Sequence, residues 1–406
     1  MTTAENGTNG VPAPVEDAAG ETVAAAAQAQ TISADEIALY DRQIRLWGVK
    51  AQEKLRTAKI LLITARALAN EIAKNLVLAG IGSLTIADHE LVKEDDLCSQ
   101  FFISEEDVGK NRAEAAAPQI RRLNPRVTLH VETEDIRLKP QNFYTSFDII
   151  IATELDFETV SHINASARVA NRPFYAAGTH GFYGFIFADL IAHTYVIERE
   201  KSNIPTILRP ETATRSVVAA TTKREGGKLI EMVTKRELYS PIVLANTSPL
   251  SGEYLSNRRR LRQVTPLLTC LKALWEFQRI SGGRLPSHSH ADLELFTTLA
   301  TEKHRELQLP PETLRSDFLR SFLQNIGSEM APVTAFLGGQ LAQDVINVLG
   351  QREQPIQNLL LFDGEESKGP VYSLHPIFPA PDQPPPPQGD GVGGLGLGLG
   401  TTPIVL

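Results

Sequence analysis

Residues 59–88 constrain the fold more than any other stretch of this sequence. Lys59-Ile60-Leu61-Leu62-Ile63-Thr64 is a short apolar run, as expected for a strand buried on both faces of a parallel sheet. Leu68, Ile72 and Leu76 follow at intervals of four and so share one face of a helix, which Gly80 and Gly82 close. Ser83-Leu84-Thr85-Ile86-Ala87-Asp88 is a second strand, ending in an acid. A strand, a helix and a strand at this spacing form a βαβ unit, and such units build parallel sheets with helices on both faces.

The alternation continues. Arg126–Val131 and Phe147–Ala152 read as strands. A polar helix near 110–123, with Pro118 inside it, precedes the first, and a helix from about Thr159 to Ala170 follows the second. From about 196 to 325 the pattern breaks. Mixed polar sequence and short β-like runs come first, then a helical stripe of Leu267, Leu268, Leu271, Leu274 and Phe277. The α/β signal returns with a helix over Pro332–Leu349 and a strand at Leu359–Phe362. The expected architecture is a doubly wound α/β fold in two parts, 34–195 and 326–376, interrupted by an inserted α+β unit at 196–325 with a small fold of its own. Residues 1–33 are rich in Ala, Gly, Thr and Glu. Residues 377–406 hold a run of four prolines from Pro384 and a Gly-Leu repeat ending at Gly400. Both are expected to be disordered tails, because neither can bury enough apolar surface to offset chain entropy.

Lys and Arg total 40 against 48 Asp and Glu, a formal net charge of −8, which argues against nucleic-acid binding through a broad basic field. No apolar run reaches the ~20 residues of a membrane span, and a secretory signal is not expected. Cys98 and Cys270, the two cysteines, are too few for a disulfide framework or an all-cysteine zinc site within this chain. They fit a reducing compartment. Both have apolar neighbours in sequence and are expected to be packing residues rather than nucleophiles.

The 59–88 unit has the layout of a nucleotide site, with Asp88 placed to meet ribose hydroxyls. Its turn departs from that chemistry. Thr64, Arg66 and Ala69 stand where glycines would let phosphate approach the backbone. Arg66 either grips a phosphate or is a solvent-facing loop arginine.

Tyr40-Asp41-Arg42-Gln43-Ile44-Arg45-Leu46-Trp47-Gly48 resembles the opening signature of the adenylation domains of activating enzymes for ubiquitin-like proteins and their bacterial sulfur-carrier relatives. The resemblance continues at Glu71–Leu76, Gln100-Phe101-Phe102, Val108–Glu114, Asn124-Pro125, Glu132–Ile136, Ser328–Val333 and Gly338–Gln343. It covers roughly 36–195 and 325–375, and the Glu-Asp-Ile and Ser-Glu-Met-Ala-Pro segments point to the SUMO branch of the family. It implies a Rossmann-like adenylation fold. Active members carry an Asn and an Arg before the Gln-Phe pair, where this chain has Cys98 and Ser99. Their phosphate-binding Lys aligns with Arg112, and their metal-binding Asp with Leu155.

Adenylation needs Mg²⁺ and cations aimed at a triphosphate. The resemblance therefore implies a half that binds no cofactor itself. It would form an obligate heterodimer with a catalytic SUMO-activating subunit that holds ATP, Mg²⁺, zinc and the thioester cysteine. SUMO itself and, through the complex, the SUMO-conjugating enzyme are the further partners implied, and the nucleus is the expected location. Arg42 is the residue expected to act catalytically, in trans, at the partner's ATP site; the bland reading is a salt bridge to Asp41 or a helix-end contact. Two rival functions remain open: a self-sufficient nucleotide-dependent enzyme and a scaffold without catalytic contribution. Arg258–Arg262 reads as a nuclear-localisation signal or a solvated helix face, and His288 and His290 as a polar loop rather than a metal pair.

Overall fold

A computed structural model describes residues 33–376; the segments expected to be disordered lie outside them, save Ser33. Eight strands form the main sheet, in the order β11-β10-β6-β5-β4-β1-β2-β3. Five of them are parallel: β1 (Lys59–Ile63), β2 (Ser83–Ala87), β3 (Thr128–Glu132), β4 (Ile149–Thr153) and β5 (Phe174–His180). Antiparallel β6 (Tyr183–Asp189), β10 (Leu359–Asp363) and β11 (Val371–Tyr372) extend the sheet beyond β5. The chain moves outward from β1 to β3, then returns to the other side of β1 with β4. This reversal makes the carboxyl ends of β1 and β4 the switch point where α/β folds open a crevice.

Both faces of the sheet are covered, as the unbroken apolar strands require. Ile60, Leu62, Ile149 and Ile151 face one core with helices α3 (Ala67–Ala79), α4 (Arg112–Leu123) and α9 (Ala331–Gly350). Leu61, Ile63, Ile150 and Phe174 face the other, with α5 (Phe157–Val169), α6 (Pro266–Ile280), α7 (His290–Glu306) and α8 (Ser316–Asn325). Successive strand residues alternate between the two cores with the period of two that a pleated strand imposes.

The 196–325 stretch contributes two different things. Strands β7 (Ala192–Glu200), β8 (Arg215–Glu225) and β9 (Lys228–Leu238) form a separate antiparallel sheet, β7-β9-β8. The helices that follow share the core of the main sheet: Leu271, Trp275 and Phe296 join Phe174, Phe185 and Ile150 in one apolar cluster. They form the second helical layer, not a fold of their own. Pro118 sits in α4 on its exposed face, where the carbonyl its ring deprives of a donor can be met by water.

Two short helices, α1 (Ala34–Trp47) and α2 (Val49–Leu55), precede β1. Ser33 and Glu36 form a reciprocal cap at the start of α1, and Glu36 reaches Arg56 and Arg126 at 3.6 and 3.8 Å.

Helices α3 and α9 cross closely because Gly338 has no side chain. A Cβ there would come within 2.5 Å of the Glu71 Cβ. Gly338→Ala gains ~1 kcal/mol of helix propensity but overpacks this crossing, and a net loss of roughly 1–2 kcal/mol is expected. Urea denaturation followed by circular dichroism measures it.

Candidate functional site

A cavity of about 480 Å³ opens at the switch point. Its floor is the turn after β1, its sides the segments after β2 and β4, and its rear Phe185, Leu274 and Trp275. Eight carboxylates and four Lys or Arg side chains line it, a balance that disfavours a polyphosphate.

The turn after β1 carries a left-handed residue that is not glycine. Thr64 has a φ of 68°, a left-handed conformation that costs a β-branched residue energy. Its hydroxyl offsets this by donating to the Thr153 carbonyl at 2.6 Å. The next amide, Ala65 N–H, donates to Asp88 Oδ2 at 2.8 Å. This backbone donor is thus taken by the chain's own carboxylate. Ala69, in the first turn of α3, is buried.

Asp88 is 3% exposed, with both oxygens engaged. Oδ1 accepts from Glu90 N–H at 2.9 Å, and Oδ2 also accepts from Arg112 Nη1 at 2.9 Å. Asp88, read from sequence as a ribose acceptor, lines the cavity with both oxygens already engaged inside the chain. Arg112, 4% exposed, is clamped between two acids, its Nε donating to Asp96 Oδ2 at 3.2 Å. Burial opposes its charge, and the two carboxylates outweigh that, raising its pKa above the usual guanidinium value. Gln100, from the Gln-Phe-Phe segment, braces Asp96 at 2.8 Å. Arg112 is here the one cation of a buried cluster with Asp88 and Asp96.

Arg66 lines the cavity and is not a free loop arginine. Its Nε lies 2.9 Å from Glu329 Oε1, a charge contact without hydrogen-bond alignment. Ser99 Oγ donates to the other Glu329 oxygen at 2.6 Å. Two of the altered positions are thus joined through an acid of the Ser-Glu-Met-Ala-Pro segment. Leu155 packs against the apolar core and offers no oxygen to a cation. Among the described residues, no group of three or more His, Cys, Asp or Glu side chains is placed to hold a metal ion.

Glu154 and His180, which sequence reasoning missed, sit in the wall. Glu154 accepts from Thr179 N–H and Oγ1 at 2.9 and 2.7 Å; burial lifts its carboxyl to about 7, against the pull of Arg66. Burial, then Arg66, lowers His180 to about 4, so its ring is neutral at pH 7. Nothing in the spacing of the sequence signals either, because the partners that perturb them come from other strands.

Cys270 is buried, which pushes its thiol up. Cys98 is exposed, against expectation: residues 94–98 form a 3-10 turn at the surface, so apolar neighbours in sequence do not enclose it. Arg260 pairs with Glu253, and Arg262 with Glu312 at 3.7 Å. His290 pairs with Glu294 at 3.7 Å.

Arg42 stands apart from the cavity, on the outer face of α1. Asp41 pairs with Arg45 instead, at 2.9 Å, and no hydrogen bond or ion pair engages the Arg42 guanidinium among the described residues. Leu39 and Leu46, at helical spacing from it, are 58% and 78% exposed.

The ThiF family profile matches residues 40–382. The DNA damage tolerance protein RHC31 of Saccharomyces cerevisiae is 37% identical over 346 residues, 84% of this chain and 98% of that protein. SUMO-activating enzyme subunit 1 of Homo sapiens is 36% identical over 352 residues, 85% of this chain and 97% of its own length. The DNA damage tolerance protein rad31 of Schizosaccharomyces pombe is 35% identical over 344 residues, 84% of this chain and 98% of that protein.

Two outcomes follow from the ion cluster and the cavity wall. Arg112→Ala strands two buried carboxylates and is expected to destabilise the fold by about 3–5 kcal/mol, read by chemical denaturation. For Glu154, the unfolded chain releases its proton near 4.5 and the folded chain near 7. Stability is therefore lost as pH rises through that window and stays level above it. Glu154→Gln removes this loss. A gain on the order of 2 kcal/mol over the wild type, discounted for partial solvent access, is expected at pH 8 and none at pH 4, from denaturation at each pH.

Proposed function

This chain belongs to the ThiF family, and from that premise we propose that it is the non-catalytic subunit of a heterodimeric SUMO-activating enzyme. In this reading it supports ATP-dependent adenylation of the SUMO C-terminus on a catalytic partner. The partner holds ATP, Mg²⁺ and zinc, takes SUMO onto its own cysteine as a thioester, and passes it to a conjugating enzyme. We place this activity in the nucleus.

The observation that carries the reading is the state of the switch point. Ala65 N–H and Arg112, which would serve a triphosphate, are both bound to Asp88, and Leu155 stands where a cation needs an acid. Freeing Arg112 for a nucleotide would leave Asp88 and Asp96 as buried, unpaired charges, at several kcal/mol. This argues against the self-sufficient enzyme.

Against the pure scaffold stands Arg42. A guanidinium unpaired among the described residues, between exposed leucines on one helix face, suits a surface that another chain covers. As the SUMO carboxylate attacks the α-phosphorus, charge grows on the phosphoryl oxygens and the leaving pyrophosphate. A guanidinium delivered across the interface donates charge-assisted, bidentate hydrogen bonds to those oxygens. A preorganised donor of this kind stabilises a transition state by ~2.7–4 kcal/mol, against ~0–1 kcal/mol for a surface ion pair.

The test is ATP–pyrophosphate exchange with SUMO. The chain alone is expected to give none. The assembled heterodimer carrying Arg42→Ala is expected to form adenylate roughly 10²–10³ more slowly at saturating ATP. Exchange by the isolated chain at the heterodimer's rate overturns the division of labour; a variant within about twofold of wild type leaves this chain a scaffold.

A further inference from the structure

The helix that carries Arg42 is held by an unusual cap. A helix ends with carbonyls that no further turn can satisfy, and in α3 the last three accept from side-chain amides of three separate segments, Val77 O alongside the Gly80 N–H. Asn124 Nδ2, just past α4, donates to Val77 O at 3.0 Å. Gln43 Nε2, from α1, donates to Leu78 O at 3.2 Å. Gln52 Nε2, from α2, donates to Ala79 O at 3.0 Å, with its amide oriented by Trp47 Nε1, 3.0 Å from Gln52 Oε1.

Tyr40 closes the arrangement. It is 7% exposed, one residue from Leu39 at 58%, and its hydroxyl accepts from Asn124 Nδ2 at 2.7 Å. Its ring lies over Gly80, the left-handed residue that ends α3, where a Cβ would come within 2.5 Å of the phenolic oxygen. Arg42 lies between these anchors in sequence, two residues after Tyr40 and one before Gln43. On a helix these offsets turn it about 160° from Tyr40 and about 100° from Gln43, onto an exposed face.

We infer that Tyr40 and Gln43, seated on the last turn of α3 and on Asn124, are positioning residues for Arg42: they fix the height and rotation of α1 so that the guanidinium meets the partner's nucleotide. The inference rests on the function proposed above. Its physical content is that a flexible guanidinium helps a transition state only when its backbone is held. A displacement near 1 Å is enough to cost up to about 10² in rate. Neither side chain touches the reacting atoms, so each acts through Arg42 alone.

The experiment uses the heterodimer assembled with its catalytic partner. Tyr40→Phe removes one acceptor and keeps the ring; Gln43→Ala removes one amide from a half-buried site. Each is made alone and together with Arg42→Ala, and SUMO adenylate formation is measured across ATP concentrations. Each single variant is expected to assemble normally, to lose about fivefold to tenfold in kcat and to keep KM for ATP within twofold. In the Arg42→Ala background neither is expected to lower the rate further. If Arg42→Ala itself costs nothing, the proposed function fails and this inference falls with it. If Arg42→Ala costs its full factor while both other variants stay within twofold of wild type, the positioning role alone is overturned. Equal losses with and without Arg42 overturn it too, because they mark a general structural role.

Discussion

The Arg112 guanidinium, buried between Asp88 and Asp96, is the interaction on which the rest of the switch point depends. A carboxylate removed from water must be paired or hydrogen-bonded, and Asp88 is held by Arg112 and by the amides of Ala65 and Glu90. Those contacts tie the turn after β1 to the start of α4 and to the loop carrying Asp96. The crevice thereby becomes a rigid, acid-lined wall. Any gain from binding a nucleotide there would first have to meet the cost of dismantling that cluster.

A second linkage works alongside it. Glu329 joins the turn after β1, through Arg66, to the loop before α3's neighbour α9, and Ser99 anchors the same acid from a third segment. Arg66 and Ser99 thus meet at one shared acid, and Leu155 packs on the core. The polar side chains at these positions are engaged by partners within the chain, around a cavity of about 480 Å³. The outer helix α1 is attached by a different device, the amide-capped end of α3, which is remote from the cavity and leaves the Arg42 face uncovered.

The two devices divide the molecule by purpose. The cavity side is closed upon itself electrostatically, and the α1 side is held from within while exposing leucines and an arginine that is unpaired among the described residues. This combination is what the proposed role in another subunit's site requires: a stable body and one presented side chain.

Much of the fold was legible in sequence. The apolar run of β1, the four-residue spacing of α3 and the glycine that ends it are local signals, and the structure places them within a residue or two because strand and helix periods are fixed by the backbone. The altered positions Thr64, Arg66, Ser99, Arg112 and Leu155 could be named from sequence too. What each does could not, because Asp88 and Arg112 meet across 24 residues, and Ser99 and Glu329 across 230. Cys98 was misread since apolar neighbours in sequence say nothing about which way a 3-10 turn faces. The helices of the insert looked like a separate unit because their stripe marks a buried face but not what it is buried against. Sequence by itself determined the elements, their order and the missing glycines, all set by local backbone geometry. Only the tertiary structure decided which charges pair, which acids are raised and which face of α1 stays open, because those depend on burial and on contacts between residues far apart in the chain.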